Sequence, residues 1–399
     1  MEKRTGLFSN GIIWFGVAIA VSEIEAGIEI GAAASPDSLW LPLILGHVFG
    51  GILLFFVGLI GARVRLNAME TTSSTFGRYG SKFFAALNTF QLLAWVAVLN
   101  AQGALALAGL NLPLSFPVTC VILSVLIAIW VYVGLRRSAK VTTLAMVSLA
   151  VLLVLLSVKL LGLDGVASGA AVAGAAAGSA ALLGFWNIFE ISIALPISWL
   201  PVISDYTKDA EKPVKATAVS AAAYTLASLW MYVIGIGISG LGVNNSIAQA
   251  ILLAGFGIPG IIIVVLSTVT TNFLASNSAG ESSKAIYSRI NPKIAGVVVS
   301  LLSAVLAISG IMERYIGFLY LIASVFAPMA AVLIVSFYFA KDRVESRGVW
   351  IWNIVAWLAG FAVYQVAERL DSVFLGPTLL AVVVSAVLAY ARVLVRKIF

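Results

Sequence analysis

Residues 189–208 read FEISIALPISWLPVISDYTK. Apart from Glu190, Ser192 and Ser198, the run from Phe189 to Val202 is apolar, and it contains Pro196 and Pro201. A proline removes a helix N–H and clashes with the preceding turn, so a helix drawn through this stretch must break before Asp205. A carboxylate within such a broken apolar segment has a definite meaning in a bilayer, where ionisable groups face a cavity or a partner rather than lipid.

The rest of the chain fits that solvent. Of 399 residues, 61% are hydrophobic and only 10% charged, whereas a soluble chain is about a quarter charged. Apolar runs bounded by charges or turn residues predict an all-α integral membrane protein. About twelve spans lie near 11–35, 38–60, 83–109, 115–134, 141–161, 181–203, 215–239, 258–285, 294–311, 313–340, 349–368 and 374–394. Between the seventh and eighth, VNNSIAQAILLAGFG is too short to cross and is expected to lie against the outer face. The Gly/Ala-rich stretch 164–180 is expected to be an external linker. The first span follows a basic start like a signal peptide, but Glu23, Glu25 and Glu29 interrupt its apolar core, so it is read as a mature span.

Placing loops alternately on two sides sorts the basic residues. Lys159, Arg314 and Arg369 fall on one side, and the remaining 21 of 24 lysines and arginines on the other. Basic loops stay in the cytoplasm, so both termini are expected there, in the cell (inner) membrane, with an even number of spans. The net charge of +7 thus reflects topology and anionic headgroups, and nucleic acid is not an expected partner. Cys120 is the only cysteine and His47 the only histidine, which leaves no disulfide, metal cluster or catalytic constellation. An enzyme is therefore not expected, nor a resident cofactor.

A rise of 1.5 Å per residue across about 30 Å of hydrocarbon turns position into depth. Gln91 and Trp95 of the third span, Glu23 of the first, Glu190 and Ser198 of the sixth, and Thr270, Thr271 and Asn272 of the eighth all fall in one band near the midplane. Glu25 and Glu29 share a helical face opposite Glu23, which suggests an interruption near Ser22–Gly27. Paired broken helices free backbone groups at the midplane, where secondary transporters hold substrates and ions. Plainer readings stand beside these. Gln91 and Trp95 serve equally well as interhelical glue, and a buried threonine bonds its own helix carbonyl. His47, between glycines, reads as a packed residue. Gly235, Gly237 and Gly240 read as a close helix crossing, and Asp205, Lys208, Asp209 and Lys212 as a solvated charge network.

Four stretches, GARVRLNAMETTSSTFGRYGSK (61–82), NTFQLLAWVAVLNAQGA (88–104), FEISIALPISWLPVISDYTKDAEKP (189–213) and LSTVTTNFLASNSAG (266–280), resemble the nucleobase:cation symporter-1 family. The SIALPISWLP and SDYTK pair looks most like its hydroxymethylpyrimidine permease branch, linked to uptake of thiamine precursors. The resemblance implies a leucine-transporter-like fold with broken first and sixth helices. Its transport core would span residues 1–340, as two inverted five-helix repeats at about 10–161 and 181–340. Two additional helices would follow in 341–399. It also implies that Trp95 stacks on a planar base, with Gln91 one turn before it. Glu23 to Gly27, Ser198, Asn272 and Asn277 would meet the polar groups of the substrate. Thr270 and Thr271 would supply hydroxyls to a coupling Na⁺. Uncharged residues are usual in the family where this chain has Glu25 and Glu29.

The chemistry is coherent without the family. A 4-aminopyrimidine is flat enough to stack on an indole, and its ring nitrogen beside an amino group suits a carboxyl through two hydrogen bonds. Glu190 is the first candidate for that edge and Glu23 the second. The expected function is import of an aminopyrimidine, hydroxymethylpyrimidine first, coupled to Na⁺ or H⁺ by alternating access. Cytosine, another nucleobase or a hydantoin or allantoin-type compound is the alternative substrate. An amino-acid carrier on the same fold is a poorer rival, because three glutamates make a poor site for a carboxylate. A channel and a non-transporting sensor are the remaining ones.

Overall fold

The computed structural model describes residues 4–110, 112–162, 182–241, 247–340, 347–370 and 374–398. The expected linker at 164–180 lies outside them. Among the described residues the protein is all-α, with one isolated bridge between Thr5 and Ala210. Its helices are α1 (Leu7–Ala18), α2 (Val21–Ala33), α3 (Trp40–Val64), α4 (Ala68–Ala108), α5 (Phe116–Val133), α6 (Leu135–Gly162), α7 (Phe185–Ser198), α8 (Ile203–Thr207), α9 (Pro213–Ser239), α10 (Ile247–Leu253), α11 (Gly257–Ile286), α12 (Pro292–Ile308), α13 (Tyr315–Val335), α14 (Arg347–Ala367) and α15 (Pro377–Ile398).

Eight described helices are long and apolar enough to cross a bilayer, and α1 with α2, bent by 50°, forms a broken ninth. Shorter apolar helices at Val147–Leu160, Phe185–Ser198 and Pro292–Ile308 stand where the fifth, sixth and ninth spans are expected. The helix at Ile247–Leu253 matches the short segment predicted between spans seven and eight. Large apolar side chains such as Leu41, Phe90, Ile129, Val305 and Val387 are exposed, which suits a surface solvated by lipid. Backbone groups there bond within their own helices, as hydrocarbon requires.

Helix α4 contains a surface helix and a span in one. Its start is a capping box: the Asn67 side chain accepts from Glu70 N–H, and Glu70 accepts from Asn67 N–H. Asp205 adds a third partner by accepting Ala68 N–H at 2.8 Å. The helix then turns at Gly77, where φ of 71° suits a residue without Cβ. The charge network expected around Asp205 is therefore partly a helix cap.

Three loops meet on one face. Thr5 exchanges backbone hydrogen bonds with Asp209 and Glu211, and Arg65 donates to the carbonyls of Lys208 at 2.8 Å and Ala210 at 2.5 Å. The N-terminal segment and the connections after α3 and α8 thus share a side, as alternating loops require.

The core packs α2, α1 and α3 against α9, α7 against α3 and α13, and α4 against α11, while α14 and α15 pair with each other and with α13. At the crossing of α2 and α9, Gly27 and Gly235 face each other's backbone. A Cβ on Gly235 would stand 2.1 Å from Ile24 O, and one on Gly27 2.3 Å from Tyr232 O. Of the three glycines expected to mark close packing, Gly235 has this role in full view.

Candidate functional site

Both expected breaks exist, and the first lies earlier than the sequence suggested. Helix α1 ends at Ala18 and α2 begins at Val21, with Ile19 and Ala20 in extended or irregular backbone. Ser22–Gly27 is helical throughout, because Gly27 is used for the close crossing with α9. One regular helix can then point carboxylates two ways: Glu23 is buried, Glu25 half-buried and Glu29 exposed. The second break follows Ser198, where α7 gives way to turns at Trp199–Val202 before α8. Pro196 and Pro201 explain it: each withholds a helix N–H.

Side chains from other helices satisfy the groups that the breaks release. Gln91 Nε2 donates to Ser198 O at 2.9 Å, and Asn88 Nδ2 to Pro201 O at 3.2 Å. Asn88 also donates to Ser282 of α11 at 2.8 Å. On the other break, the Tyr315 hydroxyl donates to Ser22 O at 2.8 Å. The irregular backbone of the second break is thus pinned by α4, while Tyr315 of α13 holds the first turn of α2.

Between the two breaks lies a narrow cavity of about 20 Å³. Val17, Ala20, Ser22 and Glu23 line it from the first break, Leu92, Trp95 and Leu99 from α4, Leu195, Ser198 and Trp199 from the second break, and Thr271 and Ala275 from α11. Four helical segments that are distant in sequence therefore supply one wall each. Trp95 is held edge-on by Phe318, with ring centres 5.1 Å apart, and by Tyr315 at 6.3 Å. Its indole N–H is buried without a hydrogen-bond partner. Glu23 Oε1 accepts from the Tyr224 hydroxyl and Oε2 from Ser228, both at 2.7 Å.

Of the expected site residues, Glu23, Trp95, Ser198 and Thr271 share this cavity. Gln91 lies behind its wall, bonded to Ser198 and Asn88. Asn272 is fully buried beside Thr271, with neither side-chain atom hydrogen-bonded. Gly27 is a packing residue at α9, and Asn277 is exposed. Thr270 belongs to α11, but its side chain lies outside what is described.

Glu190 stands apart. It lines a second, roomier cavity of about 270 Å³ with Asn187, Tyr320, Tyr364 and Glu368. There it accepts from Thr378 N–H at 2.9 Å, from the Thr378 hydroxyl and from the Tyr364 hydroxyl at 3.2 Å. The N-terminus of α15 is the electropositive end of a helix and draws this carboxylate away from the first cavity. Along α7, Glu190 lies eight residues, about 12 Å, from Ser198, near the start of that helix, and it opens on the second cavity and not on the first.

The sequence reading missed Trp199, which directly follows Ser198, and the stripe Tyr224, Ser228, Tyr232 on α9. Their spacing of four puts these three on one helical face, a signal that was legible. Among the described residues no cluster of His, Cys, Asp and Glu is arranged for a metal.

A family model for permeases of cytosine/purines, uracil, thiamine and allantoin matches residues 1–347. The cytosine permease of Escherichia coli strain K12 is 23% identical over 369 residues, covering 91% of this chain and 85% of its own. The hydantoin permease of Microbacterium maritypicum is 26% identical over 419 residues, covering 96% and 83%. The inward-facing structure of Mhp1 superimposes with a TM-score of 0.79 at 21% identity, over 100% of this chain and 92% of that one. Mhp1 closed on bromovinylhydantoin gives 0.74 at 20%, over 98% and 93%. The fold is therefore the leucine-transporter-like one with broken first and sixth spans, and the chain belongs to the nucleobase:cation symporter-1 family of membrane permeases.

Proposed function

We propose that this permease imports an aminopyrimidine, hydroxymethylpyrimidine in the first place, by alternating access around the cavity between the two breaks. The observation that carries the reading is the joint lining of that cavity by a carboxyl, Glu23, and two indoles, Trp95 and Trp199. A flat heteroaromatic ring suits the indoles, and its ring nitrogen and amino group suit the carboxyl. Ser22, Ser198 and Thr271 add hydroxyls for the remaining polar groups. Cytosine presents the same edge, so it is the second substrate proposed. A hydantoin lacks the amino group, and its imide N–H would meet Glu23 through a single bond.

The coupling ion in this reading is Na⁺ or H⁺. Thr271, which lines the cavity together with Ala20 of the first break, supports sodium, which takes carbonyl and hydroxyl oxygens; Glu23 supports the proton. The transport core is assigned to residues 1–340, as inverted repeats at about 10–161 and 181–340, with 341–399 as two further helices. One bundle rocking against the other would expose the cavity to each side in turn. In this reading the protein lies in the cell (inner) membrane with both termini in the cytoplasm, which the sorting of basic residues supports.

Equilibrium binding of labelled hydroxymethylpyrimidine to the purified protein, with competition by cytosine, uracil and hydantoin, tests the substrate class. Competition by cytosine but weakly by uracil is expected. Failure of both aminopyrimidines to bind would refute it.

A further inference from the structure

Hydrogen bonding from Glu23 does not stop at the cavity wall. Ser228, which donates to Glu23, lies 2.9 Å from His47 Nε2. His47 Nδ1 lies 2.7 Å from Ser192 Oγ and 3.1 Å from Leu43 O, and the Ser192 hydroxyl donates to that same carbonyl at 2.6 Å. Glu23, His47, Ser192 and Ser228 are all buried. The line therefore runs from the cavity through α9 and α3 to α7 and ends there.

Counting donors along the line gives a definite result. Leu43 O only accepts, and Ser192 has given its proton to it, so Nδ1 must carry the imidazole proton. His47 Nε2 and Glu23 Oε2 are then both acceptors, and Ser228 stands between them with a single hydroxyl proton. The line is one proton short whenever Glu23 is ionised and His47 neutral. One added proton completes it in either of two ways. Glu23 as an acid donates to Ser228, which donates to Nε2; or Glu23 as a carboxylate accepts from Ser228, which accepts from a protonated Nε2–H. The two differ only by proton hops along existing hydrogen bonds, with no heavy atom displaced.

We infer that Glu23, Ser228 and His47 form a store for one coupling proton, loaded and unloaded only through the substrate cavity. This rests on the transporter reading above and selects H⁺ for the coupling ion. The far end is closed by Ser192 and Leu43, so the proton exchanges with whichever side the cavity faces. The other titratable groups facing Glu23 are Tyr224 and Tyr232 of α9 and Tyr315 of α13, with Glu25 and Glu29 further along α2. Tyr232 also stands edge-on to His47 at 4.6 Å. Glu190 of α7 faces the second cavity instead.

His47 is the only histidine, so ¹⁵N-histidine labelling of the whole protein in nanodiscs yields one imidazole. The Nε2 signal of the wild type should titrate with pH while Nδ1 keeps its proton. In Glu23→Gln the side-chain amide donates to Ser228 permanently, so Nε2 should stay fixed in its loaded form. An Nε2 signal insensitive to pH in the wild type, or titrating alike in Glu23→Gln, would overturn the store. In proteoliposomes, Ser228→Ala should lose accumulation of labelled hydroxymethylpyrimidine or cytosine driven by an alkaline interior by about tenfold or more relative to its own rate of counterflow exchange. Accumulation driven by Na⁺ alone, or unchanged proton-driven accumulation in Ser228→Ala, contradicts it. A wild type that exchanges neither pyrimidine refutes the substrate reading, while the imidazole titration still decides the store.

Discussion

Glu190 of α7 accepts the backbone N–H of Thr378 at 2.9 Å, so the sixth span caps α15. Each cap or buried hydrogen bond of this kind contributes about 1–3 kcal/mol when its loss strands a partner. Glu190→Ala should therefore lower thermal stability in detergent and loosen α15, while leaving the affinity for aminopyrimidines intact. A loss of affinity of about tenfold, or 1.4 kcal/mol, with unchanged stability would return Glu190 to the substrate site.

Trp95 lines the first cavity and is braced by Phe318 and Tyr315. Stacking of a base on an aromatic side chain is worth about 1–3 kcal/mol by alanine substitution. Trp95→Ala should weaken binding by a corresponding factor, with Trp95→Phe intermediate, as measured by equilibrium binding. Equal affinity in all three proteins would remove Trp95 from the site.

Gly27 and Gly235 cross with no room for a Cβ. Overpacking a close contact costs about 1–3 kcal/mol, occasionally more. Gly235→Ala should lower the melting temperature and reduce uptake, because α2 carries Glu23. A variant with wild-type stability would contradict the backbone contact.

Gln91 binds the Ser198 carbonyl freed by the sixth-span break. Gln91→Leu leaves that buried carbonyl without a donor, at a cost of about 1–3 kcal/mol. Lower stability and slower uptake are expected from thermal unfolding and initial-rate measurements. Unchanged values in both would mean that the break is held by other contacts.

Most of the fold was legible because membrane spans announce themselves by length and polarity, and loop charges by their side. Depth was legible too, since 1.5 Å per residue fixes it: Glu23, Trp95, Ser198 and Thr271 share a cavity as their layer suggested. Azimuth was not. Gly27 and Asn277 turn to α9 and to the exposed surface, and Glu190, two turns along α7 from Ser198, turns to α15. A single sequence gives no reference for rotation about a helix that is buried on several sides. His47 is packed, as its glycine neighbours suggested, but its partners Ser228 and Ser192 come from helices 181 and 145 residues away and no local reading could find them.

The central claim is that the cavity between the two breaks carries a flat aminopyrimidine across the membrane. Initial uptake of radiolabelled hydroxymethylpyrimidine, cytosine, uracil and hydantoin into proteoliposomes, under imposed proton and sodium gradients, tests it most directly. Gradient-driven accumulation of hydroxymethylpyrimidine, with cytosine second and uracil and hydantoin behind, is the predicted result. Accumulation of hydantoin or uracil without either aminopyrimidine, or no gradient-driven uptake of any of the four, would contradict it.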